Sequence, residues 1–297
     1  MNLDARSKRA DYGDNVAALG PGLYLVATPI GAADDVTLRA LQALAAADVI
    51  AAEDTRRAMK LMSIHGVPRR GRPVIPYHDH NGAEARPGLL ARIEAGEAVV
   101  CVSDAGTPLI ADPGWRLARE AIERGLAVHA LPGASALLAA PTVSGLPTDR
   151  FLFAGFPAPK KAGRRAVLAE LAPTPATLVF YESPRRLADF LADAAEILGD
   201  RPAAVSRELT KLHEETRRGG LTALAAHYRE AGAPRGEIVV CIGPPAKGAV
   251  GAEALDDALR EALAEMRTSD AVKTVAAALG LPRKQVYARA LELAEGE

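Results

Sequence analysis

Ser103-Asp-Ala-Gly-Thr-Pro-Leu-Ile-Ala-Asp-Pro-Gly114 is the stretch that decides the fold of this chain. It follows directly on Ala98-Val-Val-Cys-Val102, an apolar, β-branched run with the length of a buried strand. A helical pattern starts just behind it, around Asp112 to Arg124. A loop of small residues at the carboxyl end of a strand is where open α/β sheets bind ligands. Small side chains let a ligand lie against backbone N–H and C=O groups, and Pro108 and Pro113 fix the path of the loop. A lone Gly-Thr-Pro is an ordinary turn; the length of this run favours a ligand loop.

Outward from that loop, residues 22–146 alternate short strands and helices. Strands are expected at Leu23–Ala27, Val49–Ala52, Val74–Ile75, Ala98–Val102 and Ala127–Leu131, and helices at Thr37–Ala47, Thr55–His65, Ala83–Ala95, Gly114–Arg124 and Ser135–Ala140. The pattern predicts an α/β domain with a mainly parallel sheet. Ser144-Gly-Leu-Pro-Thr148 is a turn-rich boundary. A second alternating domain, 147–245, carries strands at Phe151–Ala154, Thr177–Tyr181, Ala203–Ser206 and Glu237–Ile242 and ends at Pro244-Pro245. Residues 1–21 read as a flexible lead-in. Residues 251–297 read as a helical unit, with Leu255–Met266 as one helix and Ala271–Gly280 leading into Leu281–Ala290 at helix-turn-helix spacing.

Composition narrows the class. The chain has 297 residues, 49% hydrophobic and 25% charged, with a net charge of −1. That describes a soluble globular protein and argues against a wholly basic nucleic-acid coat protein. Cys101 and Cys241 both sit in strand-like runs and read as buried hydrophobes. Nothing suggests a metal cluster. Met1 to Asn15 is charged and polar, unlike a secretory signal, and the uncharged stretch Ala127–Thr148 is broken by Pro132, Gly133, Pro141, Gly145 and Pro147. A cytoplasmic protein that does not span a membrane is expected. No Gly-x-Gly-x-x-Gly follows a strand and no Walker loop is present.

Further motifs extend the pattern: Leu23-Tyr-Leu-Val-Ala-Thr-Pro-Ile-Gly31, Asp34-Asp-Val-Thr-Leu-Arg-Ala40, Ala52-Glu-Asp-Thr-Arg56, Ala130-Leu-Pro-Gly-Ala-Ser-Ala136, Phe180-Tyr-Glu-Ser-Pro-Arg185 and Arg207-Glu-Leu-Thr-Lys211. Together with the 103–114 loop they resemble the tetrapyrrole methylase family, the class III methyltransferases. Within it they are similar to the bacterial branch that methylates small-subunit ribosomal RNA. The resemblance implies a two-domain α/β fold, a homodimer, and S-adenosylmethionine bound in a cleft between the domains. It also implies methyl transfer to the ribose 2′-hydroxyl of a cytidine in the decoding region of 16S rRNA. By the same resemblance Pro29 and Ile30 match the first cofactor turn. Ser103, Asp104, Ala105 and Gly106 match the loop on the methionine end, Ser135 and Ala136 the next strand-end contact, and Tyr181 and Glu182 a contact from the second domain. One departure stands out: Ala32-Ala33 occupies the place where the family usually has Asn-Leu.

Methyl transfer from a sulfonium is an in-line displacement that needs positioning and exclusion of water. A ribose hydroxyl is a very weak acid, so a base or a stabiliser of developing negative charge helps. Glu53, Asp54, Glu182, Glu208, Lys211 and His213 are the candidates, Glu53, Lys211 and Glu182 foremost, and Asp54-Thr55 also reads as a helix N-cap. RNA binding needs positive surface. Arg56-Arg57, Arg69-Arg70-Gly-Arg72, Lys160-Lys161-Ala-Gly-Arg164-Arg165 and Arg185-Arg186 are loop-borne basic clusters, and Lys284 and Arg289 lie in the tail. Aromatics are only 4% of the chain, so base stacking is minor. Two rival readings are a small-molecule tetrapyrrole methylase of the same fold and a non-catalytic ribosome-associated protein. The basic loops and helical tail disfavour the first.

Overall fold

The computed structural model describes residues 17–110, 114–246, 252–279 and 281–295. Most of the expected lead-in, part of the 103–114 loop and part of the 244–251 linker lie outside the described residues. The chain divides into two compact units, 1–139 with 208–214, and 140–207 with 215–297. The division thus falls at 139/140 rather than 146/147, and the tail groups with the second unit.

The first unit is built on β1 (Gly22–Val26), β2 (Val49–Ala52), β3 (Val74–Pro76), β4 (Ala98–Val102) and β5 (Val128–Leu131). They form one sheet in the order β3-β2-β4-β1-β5, every pair parallel. β2 and β4 are buried along their whole length, as strands covered on both faces must be. Helices α1 (Leu38–Ala46), α2 (Thr55–Ile64), α3 (Gly82–Glu94) and α4 (Trp115–Glu123) connect them. Thr37 caps α1 by accepting the Ala40 N–H, and Asp54 caps α2 by accepting the Arg56 N–H.

The order of the strands fixes where a ligand can lie. The chain leaves β2 toward β3 on one side and leaves β4 toward β5 on the other, so the loops after these two neighbours diverge. That reversal opens a crevice at the carboxyl ends of β2 and β4. The loops concerned are Glu53-Asp54 and Ser103–Gly114.

α5 (Ala136–Ser144) follows β5 and leads into the second unit. Its sheet runs β6 (Phe151–Phe153), β7 (Thr177–Glu182), β10 (Ile238–Ile242), β8 (Pro202–Arg207), β9 (Glu215–Gly220). Only β6 and β7 pair in parallel; the other pairs are antiparallel. α6 (Lys161–Leu171), α7 (Leu187–Leu198) and α8 (Leu221–Ala231) accompany it, with Phe180, Phe190, Leu178 and Leu187 in the core. The tail folds as α9 (Ala252–Glu265), α10 (Thr268–Leu279) and α11 (Arg283–Glu295). Leu255, Leu259, Val272, Val275, Val286 and Ala290 form a small core of their own among these three helices. Both cysteines are buried and unbridged, and burial pushes the Cys241 thiol up to about 12. Among the described residues, no helix is long and apolar enough to cross a membrane.

Candidate functional site

Two adjacent carboxylates end β2 and do different work. Asp54 turns onto its own helix: its carboxylate accepts from the Arg56 backbone at 2.8 Å and from the Arg56 guanidinium at 2.9 Å. That guanidinium, with the Arg56 N–H, holds the Asp54 carboxyl down at about 2. Glu53 reaches across the crevice, and its Oε2 accepts the Asp104 N–H at 3.0 Å. Asp104 answers in the other direction, its Oδ1 accepting the Asp54 N–H at 2.9 Å. The diverging loops are therefore tied by a reciprocal pair of bonds. Arg57 lies 3.5 Å from the second Asp104 oxygen. A small hollow beside this brace is lined by Glu53, Tyr77, Cys101, Ser103, Pro108 and Gly114.

The loops after β1 and β5 meet the same region. Thr28 and Gly106 exchange backbone hydrogen bonds at 2.9 and 3.0 Å, a short antiparallel bridge between the β1 and β4 loops. The Thr28 hydroxyl donates to the Ser103 carbonyl at 3.2 Å, and the Thr107 hydroxyl to the Ala134 carbonyl at 3.3 Å. Gly106 adopts φ +81°, and a Cβ there would sit 3.4 Å from Ile30 and 3.7 Å from the Ala134 carbonyl. The positive φ is what favours glycine there, since a Cβ at those distances would make ordinary contact. Pro29, Ile30, Ser103–Gly106 and Ser135 thus lie on linked strand-end loops, and Ala136 opens α5 directly behind them.

Lys211 also belongs to this unit. Residues 208–214 lie over Gly31, whose Cβ would come within 2.5 Å of the Lys211 side chain and 2.8 Å of the Leu209 carbonyl. Ala32 N–H donates to the Thr210 hydroxyl at 3.0 Å, and Lys211 Nζ is 2.8 Å from Glu208. The Ala33 carbonyl is 3.0 Å from His65 Nε2. Ala32 and Ala33 therefore act through their backbones, and neither bond needs the side chain that the family usually carries there.

Tyr181 and Glu182 lie on β7 in the second unit. Tyr181 packs edge-on against Phe153 and Phe156. Glu182 is buried, 2.8 Å from Arg186, and accepts the Ser183 N–H at 2.6 Å through Oε1. Its Oε2 is buried without a hydrogen-bond partner.

The expectation for the 160–165 cluster is corrected. Lys161 to Arg165 form the first turn of α6, not a loop, and three of the four cations converge on one buried carboxylate. Arg164 is 6% exposed and bonds Asp193 at 2.7 Å. Arg165 bonds Asp193 at 3.3 Å and holds Glu196 at 2.5 and 2.6 Å, and Lys161 is 3.9 Å from Asp193. Lys160, Arg56, Arg57 and Arg185 are exposed. Arg72 is likewise structural, bonding the Leu44, Ala45 and Ala47 carbonyls at the end of α1. In the tail, Arg289 clamps Asp256 with two bonds of 2.6 Å, leaving Lys284 exposed. Sequence reading passed over Tyr77-His78-Asp79-His80 at the end of β3, where Tyr77 lines the hollow and His78 Nδ1 is buried without a partner. Its signal is four titratable side chains in succession at a strand end.

Comparison with known proteins identifies the family. The family model of Tetrapyrrole (Corrin/Porphyrin) Methylases matches residues 22–225, so the chain belongs to the tetrapyrrole methylase family. The model of the RsmI C-terminal HTH domain matches residues 249–294. The chain is 52% identical over 277 residues to the ribosomal RNA small subunit methyltransferase I of Mesorhizobium japonicum, covering 93% of each. It is 50% identical to the protein of that name from Erythrobacter litoralis, over 93% of this chain and 96% of the relative. Among solved structures, the methyltransferase CobJ is similar with a TM-score of 0.58 at 22% identity, over 77% of this chain and 97% of that one. Uroporphyrin-III C-methyl transferase from Thermus thermophilus, complexed with S-adenosyl homocysteine, is similar at a TM-score of 0.52 and 22% identity, over 75% and 97%. These structural likenesses establish the shared fold.

Proposed function

We propose that this chain transfers a methyl group from S-adenosylmethionine to small-subunit ribosomal RNA, at the ribose 2′-hydroxyl of a cytidine in the decoding region of 16S rRNA. The observation that carries the reading is the braced crevice between β2 and β4. Beside it, Gly106 and the backbone of the linked β1, β4 and β5 loops offer N–H and C=O groups at the strand ends. Such a surface fits a cofactor with both amino-acid and nucleoside ends, because backbone N–H and C=O groups can serve each. Relatives with the same name along nearly their whole length supply the substrate class.

In this reading Pro29, Ile30, Ser103, Asp104, Ala105, Gly106, Ser135 and Ala136 hold the cofactor, and Tyr181 and Glu182 carry the cofactor role that the family resemblance implies. The cofactor supplies an electrophilic methyl group. Glu53 is a positioning residue, since its carboxylate is engaged by the Asp104 N–H and fixes that loop. Lys211, beside the Pro29–Gly31 turn, places positive charge where the 2′-oxygen gains negative charge; Glu208, its ion-pair partner, is the adjoining carboxylate for the released proton. Arg56, Arg57, Lys160 and Arg185 supply phosphate contacts, and the three-helix tail a docking module. A homodimer and cytoplasmic residence complete the proposal.

The test is transfer of labelled methyl from S-adenosylmethionine to purified small ribosomal subunits from cells lacking the modification, beside a tetrapyrrole such as uroporphyrinogen. Label in the RNA supports the reading; label only in the tetrapyrrole replaces it with the small-molecule alternative.

A further inference from the structure

Residues 208–214, which join β8 to β9, form a strained arch that buries little of its summit. Glu208 and Thr210 adopt φ of 50° and 64°, a left-handed conformation that a β-branched threonine rarely takes. The arch is held in that shape from within. Lys211 N–H donates to the Glu208 carbonyl at 2.9 Å, Glu214 N–H to the Lys211 carbonyl at 3.0 Å, and Thr210 N–H to the Glu214 carboxylate at 2.6 Å. It is also seated from below, where Gly31 leaves no room for even a methyl group and Ala32 bonds the Thr210 hydroxyl. Leu209 is the buried anchor; Leu212, at the summit, is 93% exposed.

A single exposed leucine needs no explanation. An exposed leucine at the summit of a backbone strained in two places, and fixed by four hydrogen bonds, is a different matter. Strain of this kind persists where the surroundings over-determine it, and it clusters at ligand clamps. The side chain contributes nothing to the core of the folded protein, so the arch is shaped for something outside it. Its flanks are Lys211 and His213. Lys211 turns down over Gly31 to pair with Glu208, and exposed His213 stands next to the tip; an apolar tip beside an imidazole suits a nucleotide, with the leucine against a base or sugar face.

We infer that Leu212 is a substrate-contacting residue: the 208–214 arch presents it, preformed, to the nucleotide that enters beside the Pro29–Gly31 turn. The inference rests on the proposed RNA methyltransferase reading. It deepens that reading by naming an apolar contact that the basic clusters do not supply.

The experiment compares wild type, Leu212→Ser and Leu212→Met on unmodified small ribosomal subunits. Leu212→Ser is expected to raise KM for the subunit about tenfold, while Leu212→Met stays near wild type. Affinity for S-adenosylmethionine, thermal stability and the salt slope of binding should hold, because no charge and no buried contact is lost. Direct binding of the subunits by filter retention repeats the comparison without catalysis, so a wild type that binds but transfers no methyl defeats the parent reading and still decides this one. Leu212→Ser with unchanged subunit binding and KM overturns the inference. So does a Leu212→Ser protein that sediments as a different oligomer, which would make Leu212 a contact between copies of the chain.

Discussion

Glu53 and Asp104 hold one another's loops across the crevice. The Glu53 carboxylate accepts the Asp104 N–H at 3.0 Å, and the Asp104 carboxylate accepts the N–H of the residue after Glu53 at 2.9 Å. The two bonds join the loops that diverge from neighbouring strands. They set the separation of the crevice walls before any ligand arrives, so less ordering is needed on binding.

Breaking the brace should therefore register as lost cofactor affinity. Glu53→Ala leaves a part-buried N–H unpaired, a cost of about 1–3 kcal/mol, or roughly ten- to hundredfold in the dissociation constant if binding must restore the loop. Glu53→Gln retains an acceptor and should lose much less. Calorimetry with S-adenosylmethionine checks both, and equal affinity in wild type and Glu53→Ala would show that the brace does not shape the site.

Gly106 gives a sharper lesion in the same place. Its φ of +81° and the nearness of Ile30 leave a valine strained in backbone and side chain alike. Gly106→Val should lower stability by about 1–3 kcal/mol and abolish cofactor binding in the protein that stays folded. Full cofactor affinity in a folded Gly106→Val protein would remove this loop from the site.

The basic residues should separate into two groups. Arg164→Ala breaks a buried ion pair with Asp193 and should destabilise the second unit by about 3–5 kcal/mol, seen as a lower unfolding midpoint. Arg57→Ala with Lys160→Ala and Arg185→Ala should leave stability within about 0.5 kcal/mol and flatten the salt dependence of RNA binding. An Arg164→Ala protein of normal stability would mean the pair is not formed in solution.

The first sheet was legible because its central strands are apolar on both faces and its turns are marked by glycine, proline and helix caps. Asp54 as a cap was readable from Asp-Thr alone. The brace was not, because Glu53 meets Asp104 only after β2 and β4 become neighbours. The same limit explains Arg164 and Arg289: their partners Asp193 and Asp256 lie 29 and 33 positions away, so in sequence each reads as a candidate RNA contact rather than as half of an ion pair. β9 was missed because Glu-Thr-Arg-Arg-Gly-Gly has little intrinsic strand character, and pairing with β8 supplies what the sequence lacks. Leu212 carries no local signal at all; only the shape of its loop marks it.

Asp54 should show its pairing in a titration. The Arg56 hydrogen bonds hold its carboxyl at about 2, below the ordinary 3.8. Because the folded value is depressed, the contribution is fully present above 3.8 and is lost as pH falls through about 2. Carboxyl NMR of the folded protein should place the Asp54 midpoint near 2, and Arg56→Ala should move it upward. A midpoint near 3.8 in the wild type would contradict the cap geometry.

Truncation after Ala246 should leave both α/β sheets folded, because α9 to α11 enclose their own core around Leu259 and Val286. Cofactor affinity should hold while KM for the subunit rises. A truncated protein with wild-type KM would deny the tail a docking role.

The most direct measurement of the central claim is mapping of ribose methylation in 16S rRNA after incubation of unmodified small subunits with the purified protein and S-adenosylmethionine. The account predicts one new 2′-O-methylcytidine in the decoding region, absent with the Gly106→Val protein. RNA recovered without any added ribose methyl, from a protein shown to bind the cofactor, would contradict it.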